Sequence, residues 1–108
     1  MSGLVQKRED EVFVHADLDK TFKACLFSAE QIGKVKQSSK TLGHISISIP
    51  MSLFPPRNPT NIKVSVKPAS NGCIVTCVGE SVDGLVGFGS VHKSIDRFFE
   101  TLTSYLDI

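Results

Sequence analysis

No stretch of this chain approaches the roughly 20 consecutive apolar residues that a membrane-spanning helix requires. The opening residues, MSGLVQKREDE, lack the apolar middle of a secretory signal. A cytoplasmic protein is the expectation. Neither sign of charge predominates: 12 basic side chains stand against 11 acidic ones, a net charge of +1. That balance offers no electrostatic argument for a nucleic-acid partner and no acidic solvating tail. Cysteine is scarce, and Cys25, Cys73 and Cys77 show no paired spacing, so no disulfide framework is expected. Cys73 and Cys77 stand four residues apart in an expected strand, with Cα atoms roughly 13 Å from each other. A disulfide tolerates only about 7 Å, so reduced, buried thiols are expected.

Metal and catalytic signatures are missing too. His15, His44 and His92 fall on separate elements without ligand spacing, and no C-x-x-C pair accompanies them. The cysteines sit on expected core faces, where a thiol is unreactive. No nucleophile–base arrangement can be named, so the expectation is no enzyme, no cofactor and no metal. GLVGFGS, residues 84–90, precedes a helix, as a phosphate cradle does. It lacks the G-K-[ST] that such a cradle needs, and no strand follows to complete a βαβ unit. A flexible connection is expected there, without phosphate binding.

What the chain does contain is periodicity. Residues 1–10 are polar and read as a disordered tail, and residues 11–108 read as one α+β domain. Residues 11–15 read as a short strand. Asp17 is suited to cap a helix over 18–32, and Gly33 to stop it. Leu18, Phe22, Cys25, Leu26, Ala29 and Ile32 form that helix's apolar stripe. Phe27 points away from it, among Lys20, Lys23 and Gln31.

Four strand patterns follow: KVKQSSK, HISISIPMSL, NIKVSVKP and CIVTCVGES. Thr41-Leu42-Gly43 is the length and composition of a three-residue hairpin loop. The register it sets places Lys40 opposite His44, Val35 opposite Ile49, and Pro50 opposite Lys34, where the neighbouring strand has only begun. Pairing should therefore stop at Pro50 on that side, with apolar alternation continuing through Met51 to Leu53. Asn71-Gly72 is a strong hairpin signal; as the two turn residues they pair Val66 with Cys77 and Lys63 with Glu80. Val64, Val66, Val75 and Cys77 then share the core face. Ser90 suits the N-cap of a last helix reaching Leu106, with Val91, Ile95, Phe98, Leu102 and Leu106 as its buried stripe.

Helices of about 16 residues and strands of about seven have matching lengths, roughly 24 Å and 23 Å. The expected fold is thus a two-layer α+β sandwich, order β-α-β-β-β-β-α. A mainly antiparallel five-stranded sheet carries both helices on one face. The other face, with His44, Ser46, Ser48, Lys63, Ser65 and Lys67, suits water and has no aromatic row for stacking bases. The place of the first strand in the sheet is open.

FKACLFSAEQIG, SSKTLGHISISIPMSLF, the NIKVSVKP…NG hairpin and GSVHKSIDRFFETL resemble a family of small, mostly bacterial domains of unknown function, over about residues 11–106. The element order also resembles the TATA-binding-protein-like layout and a truncated form of the helix-grip layout of lipid-binding START-like proteins. The bacterial family often has a tryptophan near the glycine-rich turn; Phe88 stands there in this chain. The resemblance implies a fold and no functional residues.

The functional expectation is a non-catalytic binding or protein-interaction module. Its candidate contact residues are Phe27, Met51, Leu53 and Phe54, the last three forming an apolar lip before Pro55 and Pro56. The partner would be another protein or a second copy of the chain. The alternative is a carrier of a small apolar, lipid-like ligand.

Overall fold

The computed structural model describes residues 4–53, 56–83 and 90–106. The five long strands are β1 (Leu4–Val14), β2 (Lys34–Ser39), β3 (His44–Ile49), β6 (Thr60–Ala69) and β7 (Gly72–Asp83). They form one antiparallel sheet in the order β1-β7-β6-β3-β2. Two short strands, β4 (Ser52–Leu53) and β5 (Pro56–Arg57), make a separate small hairpin. Helices α1 (Leu18–Ile32) and α2 (Ser90–Leu106) pack on the same face of the large sheet and against each other. The sandwich and its element order are those expected, with the β4–β5 hairpin added.

The first strand lies at the sheet edge beside β7. It is longer than the sequence implies, because residues 4–10 are not a tail but pair with β7 from Leu4↔Asp83 to Val14↔Cys73. Their polar composition conceals the strand. On the helix side of β1, Arg8 takes the place of an apolar residue. Its guanidinium bonds Asp10 at 2.8 Å, Asp96 at 2.9 Å and the carbonyl of His92 at 3.3 Å, tying the edge strand to α2. The Asp10 hydrogen bond raises the Arg8 pKa, and the same bond lowers that of Asp10.

Helix α1 carries the chain from one sheet edge to the other. Its 15 residues rise roughly 22 Å, against about 19 Å for four inter-strand gaps. The Asp17 carboxylate accepts from the Lys20 N–H at 2.7 Å, as a cap should. Gly33 ends the helix in extended rather than left-handed backbone, with its N–H donating to the Ala29 carbonyl at 3.1 Å. Its lack of a side chain serves contact instead. A Cβ there would lie 2.8 Å from both Ile49 Cγ1 and the Ser48 carbonyl oxygen. The helix end thus presses against β3.

Both hairpin registers differ from expectation. In β2–β3 the pairs are Ser39↔His44 and Gln37↔Ser46, so the loop has four residues. A one-residue slip would turn the strand inside out. A bulge at Lys36 repairs it and returns Val35, now opposite Ile47, to the core side. In β6–β7 the turn residues are Ser70 and Asn71, giving Val66↔Val75 and Lys63↔Val78. Asn71, not Gly72, takes the positive φ of 67°. Gly72 is glycine because the Val14 carbonyl of β1 occupies the space of a Cβ. The shift is by two residues, so Val64, Val66, Val75 and Cys77 keep the core face, all buried. Glu80 pairs across the sheet with Lys7 at 3.6 Å rather than with Lys63.

The core joins both helical stripes to Ile45, Ile47, Ile49, Ile62 and the β6–β7 valines. Cys25, Cys73 and Cys77 are free and buried in it. Burial, and then the neighbouring thiols, push Cys25 up to about 12. Burial likewise takes Cys77 to about 12. The open sheet face is polar over β3 and β6, but on the β1–β7 side it exposes Val5, Phe13 and Val78, with Phe13 edge-on to His15 at 4.7 Å. Among the described residues no helix is long and apolar enough to cross a membrane.

Candidate functional site

The isoleucine alternation of β3 ends at Ile49, whose neighbour on β6 is Thr60. Pro50 follows as the first residue outside the sheet, so pairing stops on both sides of it. The alternation does not continue inward: Met51 is 53% and Leu53 59% exposed. Both belong to the β4 end of the small hairpin, which leaves the main sheet after Ile49 and rejoins it at Thr60. The Arg57 Nε donates to the Pro50 carbonyl at 3.3 Å and closes the base of this hairpin. Phe54 lies outside the described residues, as does the stretch 84–89 of the glycine-rich connection.

Immediately beside that base is a cavity of about 170 Å³. Among the described residues its lining comes from four elements that converge here: Ile32 from the end of α1, Ile49 from the end of β3, Arg57 from β5, and Ser90, Lys93, Ser94 and Arg97 from the start of α2. Ile32 and Ile49 provide an apolar floor, both buried. Gly33 brings these two side chains together, since its close approach to β3 sets the end of α1 against Ile49. The α2 residues fall at i, i+3, i+4 and i+7, one face of a helix. That face adjoins the apolar stripe and turns the first two turns of α2 toward the opening.

The polar wall is divided. Ser90 is buried, and its Oγ accepts the backbone N–H of buried Asn58 at 2.9 Å. Thr60, also buried, donates to the Asn58 carbonyl at 3.1 Å. This cluster fixes the entry into β6 against α2. Ser94 differs: it is only 7% exposed, yet its hydroxyl has no hydrogen-bond partner among the described residues. Ser28, Thr101 and Thr103 return a bond to a carbonyl three or four residues back, and Ser94 does not. The hydroxyl of Ser94 is left for the cavity.

The sequence-derived contact residues divide. Met51 and Leu53 are exposed on the hairpin that Ile49 and Arg57 bracket, although neither lines the cavity. Phe27 lies elsewhere. It is 40% exposed and packs against Tyr105, with ring centroids 4.8 Å apart. Tyr105 stands roughly 22 Å along α2 from Ser90. Phe27 is thus half of an inter-helix pair and not part of the lip. The lining residues Arg57, Lys93, Ser94 and Arg97 were not singled out from sequence. The available signal was the S-x-x-K-S-x-x-R spacing at 90–97 on α2, a polar stripe bordering an apolar one.

No protein-family model and no curated protein sequence matches the chain. Its structure is similar to several solved ones. Ara h 8.0201 aligns with a TM-score of 0.66 at 14% identity, over 96% of this chain and 99% of that one. A major latex protein family member from Arabidopsis thaliana, At1g70830, aligns with a TM-score of 0.60 at 11% identity, over 96% of each chain. An uncharacterised protein from Rhizobium leguminosarum gives 0.58 at 10% identity, over 98% of this chain and 97% of that one. The TATA-binding-protein-like layout finds no support among these neighbours. What they share with this chain is the α+β helix-grip fold.

Proposed function

We propose that the protein is a non-catalytic carrier of a small ligand with an apolar body, held in the cavity between the ends of α1 and β3 and the start of α2. The observation that carries this reading is the cavity itself. About 170 Å³ stands half-open at the surface, with an apolar floor at Ile32 and Ile49 and a polar rim from β5 and α2. The helix-grip neighbours fit the reading at the level of fold. Met51 and Leu53, on the hairpin tied down at Arg57, serve in this account as the apolar lip at the entrance. Their exposure leaves them free to contact a ligand entering or leaving.

The test is a thermal-shift and native mass spectrometry series on the purified chain with benzoate, benzyl alcohol and indole, beside a Ser94→Leu variant whose side chain fills the cavity. At least one compound should raise the melting temperature and add its mass to the wild type, and do neither in the variant. If none of the three binds, or if the variant binds them equally well, the carrier reading is wrong. Self-association lost on Met51→Ser or Leu53→Ser would then favour an interaction module.

A further inference from the structure

Resting on the carrier reading, we infer that the ligand is a small organic anion: an aryl or short alkyl carboxylate whose apolar body lies on Ile32 and Ile49 and whose carboxylate meets Arg57, Lys93 and Arg97. Three cations converge on one opening in a chain whose net charge is only +1. Among the described residues the lining contains no acidic side chain. Among the side chains described, the basic residues in ion pairs are Lys7, Arg8 and Lys40, none of them at the cavity. Asp96, the acid nearest in sequence to the α2 cations, is engaged by Arg8 on the flank facing β1. The positive charge at the opening therefore has no counterpart among the described side chains there.

Four further features select the anion. The Ser94 hydroxyl opens into the cavity without a hydrogen-bond partner among the described residues, and is a donor that an ionised carboxylate satisfies. Helix α2 starts at the cavity, so the positive end of its dipole adds to the cations. Like charges repel an amine at such a site. The stems of Arg57, Lys93 and Arg97 and the two isoleucines favour an apolar body over a bare inorganic ion. The volume of about 170 Å³ admits one ring or a short chain and not a nucleotide.

Isothermal titration with benzoate, benzyl alcohol, benzylamine and inorganic phosphate separates the alternatives, using the wild type and the exposed-site variants Lys93→Gln and Arg97→Gln. Benzoate should bind roughly ten- to a hundred-fold more tightly than benzyl alcohol, as charge-assisted hydrogen bonds require. The advantage of benzoate over benzyl alcohol should shrink in each variant and with added salt. Equal binding of benzoate and benzyl alcohol, or an advantage that survives in both variants, overturns the anion inference and leaves the carrier reading standing. Phosphate binding as tight as benzoate overturns it too, since the floor would then contribute nothing. Failure of all four to bind removes the inference together with the carrier reading.

Discussion

Replacing Ser94 by leucine should stabilise the empty protein while abolishing uptake. The serine hydroxyl has no hydrogen-bond partner among the described residues, so its removal forfeits no internal bond. The leucine would extend over Ile32 and Ile49 into the cavity of about 170 Å³. Burying its extra methyl-sized groups at about 0.8 kcal/mol each gives up to about 2 kcal/mol. Leucine gains a few tenths of a kcal/mol over serine in helix propensity and loses about 0.5–1 kcal/mol in rotamer freedom. The net expectation is about 1–2 kcal/mol of added stability. For a domain of this size that is a rise in melting temperature of about 4–8 °C. Urea unfolding should show a higher midpoint with an unchanged slope. A gain in stability bought with lost binding is the pattern expected of a functional cavity. A destabilisation of about 1–3 kcal/mol, the cost of overpacking, would show that the space is not available to a side chain and would refute the reasoning.

Other outcomes follow from the same geometry. Gly33→Ala should cost about 1–3 kcal/mol in denaturant unfolding, because its Cβ would meet the Ser48 carbonyl, a backbone atom that cannot swing aside. Met51→Ser and Leu53→Ser should leave stability within about 0.5 kcal/mol, both side chains being exposed, and should slow ligand entry in stopped-flow measurements. Cys25 and Cys77 should resist iodoacetamide at pH 8 in the native state and react on unfolding. The unfolded chain releases those protons near the ordinary 9.0 whereas the folded one holds them to about 12. The stability they contribute is therefore full below about pH 9 and is lost as pH rises toward 12, which an alkaline unfolding series reads directly.

Both helices were legible in the sequence almost to the residue, because apolar stripes and the Asp17 cap mark them; Ser90, expected as the cap of α2, is instead its first residue, and its Oγ accepts the Asn58 N–H. The faces of the strands were legible too, since alternation survives a two-residue shift of register. The registers were not. A glycine in a turn region can be there for left-handed backbone or for close approach, and periodicity does not say which. Gly33 and Gly72 are glycine for close approach, so the turn falls on Asn71. The first half of β1 was hidden because Arg8 and Asp10 fill core-side positions with an ion pair. The end of pairing on the β2 side was legible at Pro50, but the expected alternation to Leu53 is not realised, because the chain leaves β6 at the same point. The cavity was hidden for a related reason. Nothing in the sequence sets Lys93, Ser94 and Arg97 apart from an ordinary polar helix flank, and only the convergence of α1, β3 and β5 makes that flank the wall of a pocket.

The most direct test of the carrier account is a ¹H–¹⁵N correlation titration of the labelled chain with benzoate. The account predicts saturable shifts concentrated at Ile32, Ile49, Arg57 and residues 90–97, with Phe27, Tyr105 and the open sheet face unmoved. Shifts spread over the β1–β7 outer face, or no saturable shift at millimolar benzoate, would contradict it.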